Sequence, residues 1–237
     1  MSGSAARPQR ARAALRALCV IAAAGLTTTL AAAQPDAGPC GDPLANGTGP
    51  WDYRSEPAAN KRLVESYHFT PNVETLIRPQ SAGALGSDID YTLRAFPNHH
   101  RALIAMTALG ARLKSAQPEG AQFSVECYFQ RAIRFRADDA LVRMLYAKFL
   151  YAQKRPADAA RQLEAADEIA ADIGFSHYNI GLIYLEARQF DAALAQAQQA
   201  LALGFTRPEL KDALVAAGHW VEPAAVPAST PVSAAPR

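Results

Sequence analysis

Two of the chain's five histidines, His99 and His100, stand side by side in "RAFPNHHRALIAM", Arg94 to Met106, just after a proline and just before an apolar run. Imidazoles ligate metals and move protons near neutral pH, so chemistry is sought here first. Adjacent residues on a helix point about 100° apart, however, so neighbouring rings cannot readily share one ion, whereas i and i+4 spacing allows it. The chain has no His-Glu-x-x-His, and no nearby Cys or His offers a third ligand. The stretch therefore predicts a polar helix start: Pro97 closes one helix, Asn98 caps the next, and both histidines lie in its first turn. Neither a metal nor a cofactor is expected. His68, in "ESYHFTP", and His177 are expected as packed or capping groups, and His219 beside Trp220 has no evident partner. Arg131, Arg134 and Arg136 in "QRAIRFRADD" fall at helical spacing beside Asp138 and Asp139, the pattern of a solvated face more than of an anion site. Gly-x-Ser-x-Gly, a Gly-rich phosphate loop and a paired-cysteine redox motif are all missing, which points away from an enzyme.

With 237 residues, half of them hydrophobic, the chain can close one core of ordinary size. Residues 1–33 combine a basic head, "RPQRARAALR", an apolar centre, "ALCVIAAAGL", and a small-residue run ending at Ala33, the pattern of a secretory signal peptide cleaved before Gln34. A membrane anchor is the alternative, but threonines interrupt an apolar centre already shorter than the roughly 20 residues a span needs. Neither Cys19 nor Cys40 follows a lipidation box. Removing Arg7, Arg10, Arg12 and Arg16 takes the formal charge from +2 to about −2. A near-neutral domain of this kind gives no electrostatic case for nucleic acid. The mature chain is expected to be soluble and periplasmic, meeting a membrane only through an uncleaved signal or a partner. In that compartment Cys40 and Cys127 are expected to pair, the alternative being two free thiols. Such a bridge is worth about 4–5 kcal/mol in chain-entropy models.

Residues 34–59 are rich in Gly, Pro, Asp and Asn and read as an irregular arm, while 221–237 are Pro, Ala and Ser and read as a disordered tail. Between them apolar residues recur at three and four, so the fold class is all-α. A self-similarity runs through that region. Laying "VRMLYAKFLYAQKRPADAARQLEAADEIA" from Val142 over "SHYNIGLIYLEARQFDAALAQAQQALALG" from Ser176, an offset of 34, matches Ala147 with Gly181, Leu150 with Tyr184, Pro156 with Phe190, Ala159 with Ala193 and Ala166 with Ala200. At these places a helical hairpin needs a small residue for close helix contact or a large one to fill the gap between helices. The same lattice extends back over Phe129, Ala132 and Ala137, with Pro97 displaced by six extra residues that fit the polar loop "KSAQPEG".

The spacing and residue types resemble the tetratricopeptide repeat, "YNIGLIYLEARQFDAALAQAQQAL" most closely. The wider chain, including "PWDYR", "ESYHFTPNVETL" and "VECYFQRAIRF", is similar to a group of exported proteobacterial proteins built from such repeats. The resemblance implies an α-solenoid with no catalytic residues carried over. Three repeats are expected at 100–139, 140–173 and 174–207, preceded over 60–99 by extra helices and a partial repeat. A separate short helix is expected from Pro71 through about Ile77. A capping helix over 208–220 is expected to start with a Thr206–Glu209 capping box, Trp220 closing the core.

In such repeats the first helix of each pair lines a concave groove for an extended peptide or partner helix. On this lattice the groove residues are Arg101, Ile104, Ala108 and Arg112; then Met144, Lys148 and Tyr151; then Tyr178, Asn179, Leu182 and Glu186. Asn179 would hold a peptide backbone, and Lys148 or Arg112 a carboxylate. The arm could instead cover this face. The favoured function is a non-catalytic scaffold binding a protein or peptide in support of an envelope complex. The alternatives are an envelope enzyme acting on cell-wall material, using Glu65, His68 or Glu74, or a chaperone for exported chains. The oligomeric state is left open.

Overall fold

The structure, a computed structural model, describes residues 38–223 except positions 46 and 82. The expected signal peptide over 1–33, and the tail beyond 223, lie outside the described residues. The described residues form ten helices and no strand, so the chain is all-α. They are α1 (Ala58–His68), α2 (Pro71–Glu74), α3 (Leu85–Ala95), α4 (His100–Leu113), α5 (Val125–Phe135), α6 (Ala140–Ala152), α7 (Pro156–Ala170), α8 (Gly174–Glu186), α9 (Phe190–Ala202) and α10 (Glu209–Ala216).

Local chemistry sets several of these ends. Ser124 caps α5 by accepting from the Cys127 N–H, Asp139 caps α6 by accepting from Val142, and Pro156 opens α7 with its φ already helical. Three expected ends differ. α4 is capped by the His99 ring, which accepts from the Ala102 N–H, and not by Asn98. α2 stops at Glu74, short of Ile77, because Leu76 turns left-handed (φ 60°) and the Ile77 N–H folds back onto the Asn72 carbonyl. The Thr206–Glu209 capping box does not form: Pro208 takes the cap position with no side-chain bond, and Glu209 is engaged by Arg207 and Tyr178.

The sequence offset reappears in the backbone. α6 and α8 begin 34 residues apart and end 34 apart, and α7 and α9 begin 34 apart. The turn after α6 passes through left-handed Lys154 (φ 59°), and the turn after α8 through left-handed Arg188 (φ 57°). In each, the next N–H reaches back to a helix carbonyl, Arg155 to Leu150 and Gln189 to Tyr184. The turn after α4 repeats the device at Lys114 (φ 49°), with the Ser115 N–H on the Gly110 carbonyl, before the extra loop begins.

Each helix from α3 to α10 packs on its neighbours in sequence, and α4, α6, α8 and α10 also touch in series. The matched small residues Ala147, Ala159, Ala166, Ala193 and Ala200 are buried at these crossings. At Gly181 an added Cβ would stand 2.5 Å from Leu210 Cδ2, so the Leu210 side chain of α10 occupies the space that the missing methyl leaves on α8. The loop after α4 crosses to the start of α3, where the Glu119 carbonyl would lie only 2.1 Å from a Cβ on Gly86. Asp90 of α3 fixes the far end of this loop, accepting from the Gln122 N–H and the Tyr128 hydroxyl.

Replacing Gly86 with Ala forces the Glu119 backbone outward and is expected to cost about 1–3 kcal/mol in denaturant unfolding, the range for overpacked sites. Cys40 and Cys127 form a disulfide with Cα atoms 5.1 Å apart. Its reduction is expected to lower stability by about 2–5 kcal/mol, seen as an earlier urea midpoint in the presence of dithiothreitol.

Candidate functional site

The paired histidines lie at the α3–α4 junction, on a polar network that joins the arm to the helices. His99 is fully buried and its Nδ1 accepts from the Ala102 N–H at 3.1 Å. Its ring hydrogen therefore sits on Nε2, which donates to Glu65 Oε1 at 3.1 Å. The Tyr53 hydroxyl (2.8 Å) and Arg101 (2.9 Å) donate to the same carboxylate oxygen, and the Tyr53 ring lies 3.9 Å from the imidazole. Burial holds the His99 pKa below its ordinary value despite the nearby carboxylate. The Glu65 carboxyl is held down at about 2, chiefly by the His99 hydrogen bond.

His100 turns the other way and meets Asp139, its Nε2 lying 2.9 Å from Oδ2. Burial pushes the Asp139 carboxyl up, but His100, Asn98 and the Val142 N–H outweigh it and hold the pKa low. Asn98, also fully buried, completes the junction. Its Nδ2 donates to Asp52 at 2.7 Å and to Asp139 at 2.9 Å, while its Oδ1 accepts from the Tyr53 N–H at 2.9 Å. The two imidazoles thus bind different carboxylates. Among the described residues, no three His, Cys, Asp or Glu side chains gather as metal ligands.

The arginines at 131, 134 and 136 all engage the arm, Arg131 from a buried position and Arg134 and Arg136 from partly exposed ones. Arg131 is 2% exposed, with its guanidinium 4.2 Å from the Phe123 ring centroid, and it donates to the carbonyls of Cys40 (3.0 Å) and Asp42 (3.2 Å). Arg134 donates to the Gly41 carbonyl at 2.6 Å and Arg136 to Asp52 at 2.6 Å. With the disulfide, these three hold the arm along α5. His219 also has a partner, stacking on Phe190 at 4.1 Å, and His177 is buried between Gln196 and the Ala171 carbonyl.

The groove residues divide. Ile104, Ala108, Lys148 and Glu186 are exposed, with Tyr151, Asn179 and Leu182 half-buried beside them. Lys148 reaches across from α6 to Glu186 of α8 at 2.9 Å. Met144 and Tyr178 do not line an open face: they are 4% and 6% exposed, within the core. Tyr178 is covered by Phe205, 5.1 Å away between rings, and its hydroxyl donates to Glu209. Asn179 spends its amide on its own helix, donating to the Phe175 carbonyl. Arg101 and Arg112 are turned to the N-terminal helices, Arg101 onto Glu65 and Glu74 and Arg112 onto the Leu76 carbonyl. The sequence reading missed Leu141 and Phe175, which are 41% and 57% exposed. Both share the helical register of Arg101, the signal that could have found them.

No family model matches the chain, and neither a curated protein nor a solved structure matches it.

The network predicts an acid-sensitive junction. With the His99 pKa depressed, the unfolded chain binds a proton first below about pH 6.5, so stability falls as pH drops from there. Glu65 adds a further loss as pH falls through the carboxylate range toward about 2. At His177, burial lowers the pKa, but the Ala171 carbonyl, Gln196 and Asp167 outweigh it and raise the value, so its contribution runs the other way. The comparison with His99→Gln isolates the first effect: the stability advantage of the native chain over the variant shrinks between about pH 7 and about pH 5 in urea titrations.

Proposed function

We propose that the chain is an exported tetratricopeptide-repeat protein, an α-solenoid of three repeats over 100–139, 140–173 and 174–207. It serves as a non-catalytic scaffold, binding a protein or peptide along the face of α4, α6 and α8 in support of an envelope complex. The observation that carries the binding role is the pattern of exposure on this face. Ile104, Leu141 and Phe175 are large apolar side chains left 51%, 41% and 57% exposed at one helical register or one turn from it. The same helices carry the exposed Lys148–Glu186 pair, Lys148 two turns beyond Leu141 on α6 and Glu186 three turns beyond Phe175 on α8, so a partner lying along them would meet both apolar and charged groups. The repeat assignment is supported by helix ends and left-handed turns recurring at 34 residues, and by the series of contacts among α4, α6, α8 and α10. Export is supported by the disulfide, which persists in oxidising compartments.

The non-catalytic reading rests on the state of the groups an enzyme would use. Glu65 and Glu74 both accept from Arg101, and His68 is bound to the buried Asp88 at 3.0 Å. His99 has no exposed surface from which to reach a substrate.

The test is site-specific photocrosslinking in cells. A crosslinker at Ile104 or Leu141 is expected to capture one discrete partner, and one at Gln199 on α9 to capture none. Ile104→Glu with Lys148→Glu, both at exposed positions, should weaken the purified complex by about 10- to 100-fold. Equal capture from α9, or unchanged affinity of the double variant, would overturn the assignment of the face.

A further inference from the structure

A cleft of about 270 Å3 opens where the arm meets α1 and α3, and no part of it belongs to the face proposed for partner binding. Three aromatic residues line it, Trp51 from the arm, Tyr67 from α1 and Tyr91 from α3, together with Thr48, Asn60 and His68. Two of these walls are built rigidly. The Trp51 backbone N–H is fixed to the Ala95 carbonyl at 2.9 Å, and the Trp51 ring packs on Phe96 at 5.5 Å. The Tyr91 ring stacks on His68 at 3.8 Å, and His68 is tied through Nδ1 to Asp88, which also accepts from the Gln80 and Ser81 N–H groups. The third wall is open: Tyr67 is 61% exposed, and Leu63 beside it is equally so.

The chemistry of the lining narrows the ligand. Among the described residues, no carboxylate, lysine or arginine lines the cleft. A charged ligand would find no counter-ion there. Among the described residues, the Trp51 indole N–H and the Tyr67 and Tyr91 hydroxyls make no hydrogen bond, and the Thr48 hydroxyl stands on the same lining with the Asn60 amide, whose Nδ2 also donates to Glu56. A wholly apolar ligand would cover these groups without satisfying them, a penalty of about 1–3 kcal/mol for each one desolvated. A ligand with apolar faces and a rim of neutral hydroxyls meets both demands. The volume lies just below the ~300–1,000 Å3 of ordinary small-ligand sites, which suits one ring and not an extended chain. We propose that this cleft binds a neutral saccharide ring, held between aromatic side chains and hydrogen-bonded by uncharged groups. The site is independent of the scaffold reading and stands or falls separately from it.

The chain has two tryptophans, so Trp220→Phe leaves Trp51 as the single reporter of the cleft. Titration of this variant with tri-N-acetylglucosamine and with cellotriose is expected to give a saturable change in Trp51 emission at low-millimolar concentration for at least one of them. Saturation-transfer NMR on the unsubstituted chain gives the same reading without depending on that substitution. Adding Tyr67→Ala or Leu63→Glu, both at exposed positions, should weaken binding by about tenfold or more. Several results would overturn the proposal: no saturable response to either sugar, equal binding by the Tyr67 and Leu63 variants, or an equal response to sorbitol, which has the hydroxyls without the ring. Saturable binding of a proline-rich peptide in place of the sugars would overturn the ligand class.

Discussion

The amide of Asn98 is the point at which three separate parts of the chain are made mutually dependent. It is fully buried, and its bonds reach Asp52 and Tyr53 in the arm and Asp139 at the start of α6. A buried amide left short of partners costs about 1–3 kcal/mol, so the arm, the α3–α4 junction and α6 must be placed together for the group to be tolerated at all. His99 and His100 belong to the same solution, one carrying Glu65 of α1 and the other Asp139. The imidazoles that looked most reactive are occupied in holding the N-terminal segments against the helices.

This explains why the junction was hard to see in the sequence while the helical lattice was easy. Close helix packing demands small residues at fixed intervals, so Ala147 and Gly181, or Ala159 and Ala193, reveal themselves by recurring. Polar networks leave no such period. The partners of Asn98 lie 41 to 46 residues away, and a local rule naturally reads an Asn before a helix as its cap. Arg131 was misjudged for a related reason. Alternation with apolar residues shows which face each arginine takes, but not that backbone carbonyls of Cys40, Gly41 and Asp42 will lie across that face.

The groove residues show the same boundary within a single lattice. Ile104, Met144 and Tyr178 hold equivalent register positions, yet the first is half exposed and the other two are buried. Register determines direction, which sequence spacing carries. Exposure depends on what the next element places over that direction, as Phe205 and Glu209 do over Tyr178. Leu141 and Phe175, one turn earlier, are left uncovered and take over part of the apolar surface that Met144 and Tyr178 were expected to supply.

The left-handed turns after α4, α6 and α8 are occupied by Lys114, Lys154 and Arg188, where glycine is the usual residue. A side chain in this conformation costs roughly 1–2 kcal/mol. Each of the three, however, places a cation beside the negative end of a helix macrodipole, which returns about 0.3–1 kcal/mol at a surface. The chain thus accepts backbone strain at a repeated position and sets a positive charge at three helix ends. Glycine there would relax the backbone but remove one positive charge from each helix end.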